Sequence, residues 1–183
     1  LQDVQKFLDA LTVQKKYPFS TPELRSQLKH TFWLLNRVDS AKALKKLLEL
    51  HPVFSQYRII LAAGSGDDES ENRKAINEVK DAILTNEYTI TLSVGQLTTG
   101  VTIPEWSGVL MLCSLKSPAL YMQAAFRAQN PCLFEDKDGQ TYRKNNAYVF
   151  DFDPARTLTI METIANDQYK DTAGGAGAVS YTH

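Results

Sequence analysis

The residues best suited to chemistry lie in one stretch, 94–131, where a glycine-containing loop, an apolar strand and a helix follow one another. Gln123, Arg127 and Asn130 have the spacing i, i+4, i+7, which puts their side chains on one face of a helix predicted from Pro118 to about Gln129. Met122, Ala125 and Phe126 form a different face, which is expected to pack against the sheet. A guanidinium offers a phosphate a planar fork of N–H donors, and backbone at a glycine approaches a phosphate closely. The stretch therefore predicts contact with a nucleotide, although a solvated helix face is the plainer interpretation.

The loop of this stretch centres on Gly100. Thr98 and Thr99 precede the glycine, and Thr102 follows it. We expect Gly100 and Thr102 to lie near a nucleotide, and Thr98 and Thr99 to hydrogen-bond a nucleic-acid phosphate. An ordinary turn with local hydroxyl bonds is the competing interpretation.

Two other loops carry candidates of lower specificity. Asn36 and Arg37 follow an apolar run and either contact a nucleic-acid backbone or simply begin the next helix. Gly64 opens a Gly-Ser-Gly sequence that suits a phosphate, yet a lone glycine pair is typical of a plain turn. The histidines, cysteines and carboxylates lack ligand spacing, so no metal site is predicted.

The hydrophobic pattern predicts the strands and helices that position these loops. Apolar runs at 31–35, 58–63, 88–94, 109–113 and 147–152 alternate with helical segments. Parallel strands require long crossovers, which helices supply, so we predict an α/β fold: a parallel sheet of about five or more strands with helices on both faces. Ligands of such sheets gather at the carboxyl ends of the strands, where we expect the candidate loops to lie.

Length and composition narrow the function classes. With 183 residues and 43% hydrophobic residues, the chain can bury one full core. The net charge of -1 excludes a global positive field, so contact with nucleic acid requires a local patch. Only two cysteines occur, and no signal peptide or membrane span is recognisable, which favours a cytoplasmic location without a membrane partner.

The pattern divides the chain into three predicted segments. Residues 1–29 form a helical extension whose apolar stripe, from Val4 to Leu11, needs a partner surface. Residues 30–171 form the α/β domain. Residues 172–183 form a tail whose TAGGAGAV sequence has too little side-chain bulk to pack.

The order of motifs over residues 31–152 resembles the second, C-terminal RecA-like motor domain of superfamily 2 helicases and translocases. Within that superfamily it is similar to helicase-like restriction-modification proteins, such as type I and type III restriction subunits. Residues 97–104, LTTGVTIP, are similar to motif V, and residues 121–127, YMQAAFR, to motif VI, the arginine-finger helix. Residues 32–37, FWLLNR, resemble motif IV, and residues 59–64 the next strand with its glycine turn.

The resemblance implies a role for each candidate residue. Arg127 would be the arginine finger, with Gln123 beside it, while Gly100, Thr102 and Asn130 would face ATP and Mg²⁺. The nucleotide would lie between this lobe and a first RecA-like lobe of the same polypeptide. The partner would be DNA, with RNA as the alternative, and the residues expected to contact it are Asn36, Arg37, Gly64, Thr98 and Thr99.

The sequence departs from the family pattern in motif VI. Phe126 stands where the family usually has glycine, and Asn130 stands where it has a second arginine. No G-x-x-x-x-G-K-[ST] sequence occurs in the 183 residues, because in this family the phosphate-binding loop belongs to the first motor lobe. We therefore expect a part of an ATP hydrolase that is inactive without its first lobe.

Two other functions compete with the motor lobe. One is a non-catalytic RecA-like module for protein docking or regulation, in which Arg127 is structural. The other is a nucleotide-sugar transferase lobe, which is also α/β but does not account for Gln123 and Arg127 following Gly100 at this spacing.

Overall fold

The computed structural model describes residues 2–13, 17–63, 68–94, 102–113, 117–135 and 138–151. Within them, the five α-helices are α1 (Gln2–Val13), α2 (Pro22–Gln27), α3 (Val38–Leu50), α4 (Glu69–Thr85) and α5 (Pro118–Ala125). The strands are β1 (His30–Leu35), β2 (Arg58–Ala63), β3 (Thr89–Val94), β4 (Gly108–Met111), β5 (Leu133–Glu135), β6 (Thr141–Arg143) and β7 (Tyr148–Asp151). No helix in these ranges is long and apolar enough to cross a membrane.

Five strands form one sheet in the order β2-β3-β1-β4-β7, and every neighbouring pair is parallel. All five lie within or close to the predicted apolar runs, and β2 has the predicted bounds. The order places β1 in the centre, which agrees with the burial of all six of its residues. The predicted α/β fold with a parallel sheet is confirmed.

Helices cover both faces of this sheet. Successive strand residues point to opposite sides, so Phe32 and Leu34 of β1 pack in one core and Trp33 and Leu35 pack in another. The first core contains buried residues of α4 and α5, and the second contains buried residues of α1 and α3. The prediction of helices on both faces is therefore confirmed as well.

The apolar stripe of α1 packs in the core of the domain. Leu8 and Leu11 are fully buried in the same core as Trp33, and Asp9 Oδ1 lies 3.1 Å from His51 Nε2. The helix thus packs against the sheet domain through its apolar face. The proposed division at residue 29 stays a prediction, and the tail 172–183 lies outside the described residues.

A two-stranded antiparallel hairpin, β5 and β6, was not predicted. Its strands have three residues each and are largely exposed, so they lack the apolar run that marks a strand. The rings of Phe134 and Tyr142 stack across it, with centroids 5.4 Å apart. Gly139 in the turn has φ +76, a conformation that glycine adopts without strain. The hairpin brings Lys144, the residue after β6, against the body of the domain.

Candidate functional site

The helix that carries the arginine candidate is shorter than predicted. α5 begins as expected, with Pro118 in its first turn and Ser117 Oγ accepting a hydrogen bond from the Leu120 N–H at 3.5 Å. It ends at Ala125, and a 3₁₀ turn, Phe126–Ala128, follows. The predicted α-helix to Gln129 is therefore wrong in its last turn, where the chain tightens as helix ends often do.

This change affects the predicted polar stripe. Gln123 lies on α5 and is exposed, Arg127 lies in the 3₁₀ turn and is half-buried, and Asn130 follows the turn. The three side chains therefore do not share one continuous α-helical face. Met122 packs against the core and Ala125 is fully buried, as expected.

Phe126 does not face the sheet. We expected it to pack inward beside Met122 and Ala125, but 45% of its surface is exposed. The 3₁₀ turn rotates residues by a larger angle than an α-helix does, which changes the face on which Phe126 lies. Leu120 on α5 is also 49% exposed, so two large apolar side chains lie at the surface of the segment that carries Arg127.

The guanidinium of Arg127 sits in a partly desolvated environment. Burial lowers the pKa of Arg127 from its ordinary value. Arginine nevertheless stays charged at neutral pH, because its ordinary pKa is far above that range. The turn that holds it packs next to β1 and β4, and Ala128 is fully buried there. A fixed cation therefore lies at the edge of a packed turn.

The position of this turn differs from the expected one. The backbone carbonyls of Ala128 and Trp106 both accept hydrogen bonds from Lys144, and Trp106 lies two residues before Gly108, the first residue of β4. The turn thus ends beside the amino end of β4, whereas we expected the candidate residues to gather at the carboxyl edge. Asn36 and Arg37 do follow the carboxyl end of β1, the strand next to β4.

The candidate residues that the structure describes therefore do not form one cluster. Asn36 and Arg37 are exposed, and the sheet separates them from the turn of Arg127 by the length of a strand, roughly 15 Å. Arg37 occupies the N-cap position of α3, although its side chain makes no capping hydrogen bond. Thr102 is exposed at the start of the segment that leads into β4. The remaining candidates, Gly64, Thr98, Thr99 and Gly100, lie outside the described residues.

Lys144 makes contacts that no sequence pattern predicts. Its Nζ donates to three carbonyl oxygens: Pro104 at 2.7 Å, Ala128 at 2.9 Å and Trp106 at 3.0 Å. Burial lowers the pKa of Lys144, opposed in part by Cys132 and Glu105. The acceptors are backbone atoms from two distant segments, so no side-chain pattern in the sequence could have revealed this arrangement.

Two cavities border these residues or their neighbours: Lys144 lines the first, and Leu35, next to Asn36, lines the second. One, of about 210 Å³, opens at the amino edge of the sheet beside Lys29, whose Nζ donates to Tyr142 Oη at 3.0 Å and lies 3.4 Å from a Glu87 carboxylate oxygen. The other, of about 490 Å³, is an apolar groove between α1 and α3 that includes Phe7 and Leu47. Among the described residues, no group of three or more His, Cys, Asp or Glu side chains is arranged to hold a metal ion.

Sequence comparison finds one informative relative. No protein-family model matches the chain. A protein of Mycoplasma pneumoniae (strain ATCC 29342 / M129 / Subtype 1), named as the C-terminus of a type II restriction enzyme and methyltransferase, RM.MpnORF110P, is 30% identical over 175 residues. The alignment covers 92% of this chain and 24% of that protein. The chain thus spans about a quarter of the relative's length.

Solved structures of helicase and ATPase domains are similar to this chain. The E. coli DEAD-box protein SrmB, solved bound to regulator of ribonuclease activity A, is similar with a TM-score of 0.50 and 11% identity, over 91% of this chain and 79% of that chain. The C-terminal part of the Fun30 ATPase domain has a TM-score of 0.48 and 17% identity, over 88% and 43% respectively.

The five-stranded parallel sheet with helices on both faces is the RecA-like α/β fold found in helicase domains. The predicted resemblance is confirmed at this level. This likeness shows the fold, and the relative at 30% identity carries a restriction-enzyme name.

Proposed function

We propose that this chain is the second motor lobe of an ATP-dependent DNA helicase or translocase of a restriction-type enzyme. The observation that carries the proposal is a half-buried arginine, Arg127, in the turn after α5 of a helicase-type RecA-like fold, at the position that resembles motif VI. The restriction-enzyme name of the relative supports the proposal that the lobe belongs to a restriction-type enzyme.

The surface around Arg127 suits contact with another lobe. Leu120 and Phe126 on this segment are each about half exposed, so a docked lobe would cover apolar surface there. The first lobe would dock against this side of the domain, near the amino end of β4. The nucleotide would be held mainly by that first lobe, so the finger has to reach a partner surface rather than the carboxyl edge of its own sheet.

The residues on the nucleotide side each have a role in this proposal. ATP with Mg²⁺ supplies the phosphoryl group whose transfer to water drives the lobe movement. Arg127 stabilises the charge that develops during transfer, and Gln123, Thr102, Asn130 and Gly100 line the nucleotide side of the interface. The partly desolvated environment of Arg127 strengthens its interaction with a phosphate.

The nucleic-acid track occupies the other end of β1. Asn36 and Arg37 are exposed after the carboxyl end of this strand and offer amide and guanidinium donors to a phosphate backbone. Gly64, Thr98 and Thr99 belong to the same proposed track. DNA is the proposed substrate, and RNA is the alternative. Separate nucleotide and nucleic-acid surfaces on one lobe allow lobe closure to move the track along a strand.

The test is the substitution Arg127→Ala in the full-length polypeptide that carries this chain and its first lobe. We expect the kcat for ATP hydrolysis to fall by about 10³-fold or more, because arginine fingers contribute roughly 10³ to 10⁵ in rate. Arg127→Lys should not restore the rate, since lysine lacks the planar fork. Steady-state ATPase assays with DNA present measure both variants.

Lys80→Ala is the matched control, because Lys80 is an exposed cation on α4, far from the α5 segment in sequence. It should leave the ATPase unchanged, and thermal denaturation should show that all variants fold. A full ATPase rate in Arg127→Ala would instead support the docking or regulatory module, in which this arginine has only a structural part.

A further inference from the structure

The turn that carries Arg127 is held from outside by the ammonium group of Lys144. The 3₁₀ hydrogen-bond pattern is weaker than the α-helical one, and the last carbonyls of a helical segment lack partners within it. Ala128 O is such a carbonyl, and Lys144 Nζ donates to it at 2.9 Å. A cation is also favoured at this end of a helical segment by the peptide dipoles. The residue next to Arg127 is thereby fixed in place.

The same ammonium group holds the segment that leads into β4. Its contacts with Pro104 O at 2.7 Å and Trp106 O at 3.0 Å join the end of the motif V-like stretch to the motif VI-like turn. An ammonium has three N–H donors, and here three carbonyls accept them. Trp106 is itself anchored, because its side chain is fully buried and packs 4.7 Å from Phe32, measured between ring centroids.

The hairpin fixes Lys144 in turn. Its backbone N–H donates to Cys132 O at 2.8 Å, which continues the pairing of β5 and β6, and its side chain is half-buried. The hydrogen bond from Lys144 Nζ to Ala128 O thus joins the two ends of the segment 128–144. The hairpin follows the turn in the chain, and the side chain of Lys144 at its end contacts Ala128, the last residue of the turn.

We propose that Lys144 is a positioning residue for Arg127, which sets the turn against the segment 104–106 so that the guanidinium reaches the nucleotide across the lobe interface. The inference rests on the proposed function. Lys144 does not touch the substrate in this proposal, and it acts only through the placement of Arg127. A displacement of a catalytic group by about 1 Å costs on the order of 10²-fold in rate.

The experiment is a double-mutant cycle in the full-length polypeptide, with Lys144→Met, Arg127→Ala and the two combined. Methionine keeps an unbranched apolar stem and removes all three donors. We expect Lys144→Met to lower kcat by about 10²-fold, with the KM for ATP changed less than twofold. In the Arg127→Ala background the same substitution should cause no further loss, because its effect passes through the missing guanidinium.

Two further variants complete the design. Lys144→Arg retains a cation in case the methionine variant fails to fold, and it should show a smaller fall in kcat than Lys144→Met, since a guanidinium satisfies some of the carbonyls. Arg143→Ala, at the neighbouring exposed cation of β6, should leave kcat unchanged. Thermal denaturation of each variant reports whether it folds.

The outcomes separate the inference from the proposed function. Wild-type kcat in folded Lys144 variants, or an equal loss in the presence and absence of Arg127, overturns the positioning role while the motor function stands. If Arg127→Ala alone retains the full rate, the proposed function fails and the inference fails with it. A loss of kcat that is absent in the Arg127→Ala background supports both.

Discussion

His30 is a buried titratable residue at the start of the central strand. Only 5% of its surface is exposed, and its Nδ1 lies 2.9 Å from the hydroxyl oxygen of Thr89 on the neighbouring strand. Burial, with a smaller contribution from the charge of Lys29, lowers the pKa of His30 from 6.5 to about 4, while Glu87 acts in the opposite direction. The folded protein therefore keeps this imidazole neutral where the unfolded chain binds a proton.

This difference predicts that the fold loses stability in mild acid. Between pH 6.5 and about 4 the unfolded state holds more protons at His30 than the folded state, so the free energy of unfolding falls as the pH is lowered through this window. The loss from His30 alone amounts to about 3 kcal/mol. Chemical denaturation at several pH values measures it, and His30→Gln should have a shallower dependence. An identical pH dependence in the variant would contradict the assignment.

At the residue scale, sequence reasoning predicts candidate groups from the chemistry of their own side chains. Arg127 stands out because a cation follows a glycine loop and an apolar strand in a recognisable order. Lys144 could not be found in this way, because it binds carbonyls 16, 38 and 40 positions away. Backbone acceptors are the same at every residue, so the sequence contains no signal for such a contact.

At the scale of elements, helix starts are easier to predict than helix ends. Ser117 and Pro118 mark the start of α5 with a side-chain cap and a fixed φ, which act locally. No comparable stop signal follows Ala125, and the change to a 3₁₀ turn depends on how residues 126–128 pack against β1 and β4. Tertiary contacts therefore decide the part of the element that carries Arg127.

The helix α1 offers a test of how far the core extends toward the amino terminus. Leu11 is fully buried, whereas Val13 on the same helix is 75% exposed. Leu11→Ala should lower the free energy of unfolding by about 2 to 5 kcal/mol, because it removes buried methyl groups and leaves a cavity. Val13→Ala is the matched control and should change little. Urea denaturation measures both.

The result decides whether residues 1–29 are an extension or part of the domain. A large loss for Leu11→Ala means that α1 belongs to the core that also contains Trp33. A loss no greater than that of Val13→Ala would show that α1 is a separable appendage, as the sequence pattern alone predicts.

For the molecule as a whole, alternation of apolar runs was sufficient to predict the main sheet. The three central strands, β3, β1 and β4, are buried on both faces, so they read as largely apolar runs that interrupt helical periodicity. The hairpin of β5 and β6 was not predicted, because exposed strands of three residues have no such run. The position of the Arg127 turn was not predicted either, because it depends on contacts with Lys144, β1 and β4 that no sequence pattern marks.

The last prediction concerns the activity of the chain by itself. A nucleoside triphosphate needs a loop that cradles its phosphates, and no G-x-x-x-x-G-K-[ST] sequence occurs in these 183 residues. An arginine that stabilises only the transition state adds little to the rate of ATP hydrolysis when no loop holds the phosphates, because positioning provides much of the acceleration. The purified chain with ATP, Mg²⁺ and DNA should therefore release phosphate at the background rate, whereas the full-length polypeptide should turn over. Turnover by the chain alone, abolished by Arg127→Ala, would mean that the domain holds ATP by itself, and the proposed division between two lobes would then be wrong.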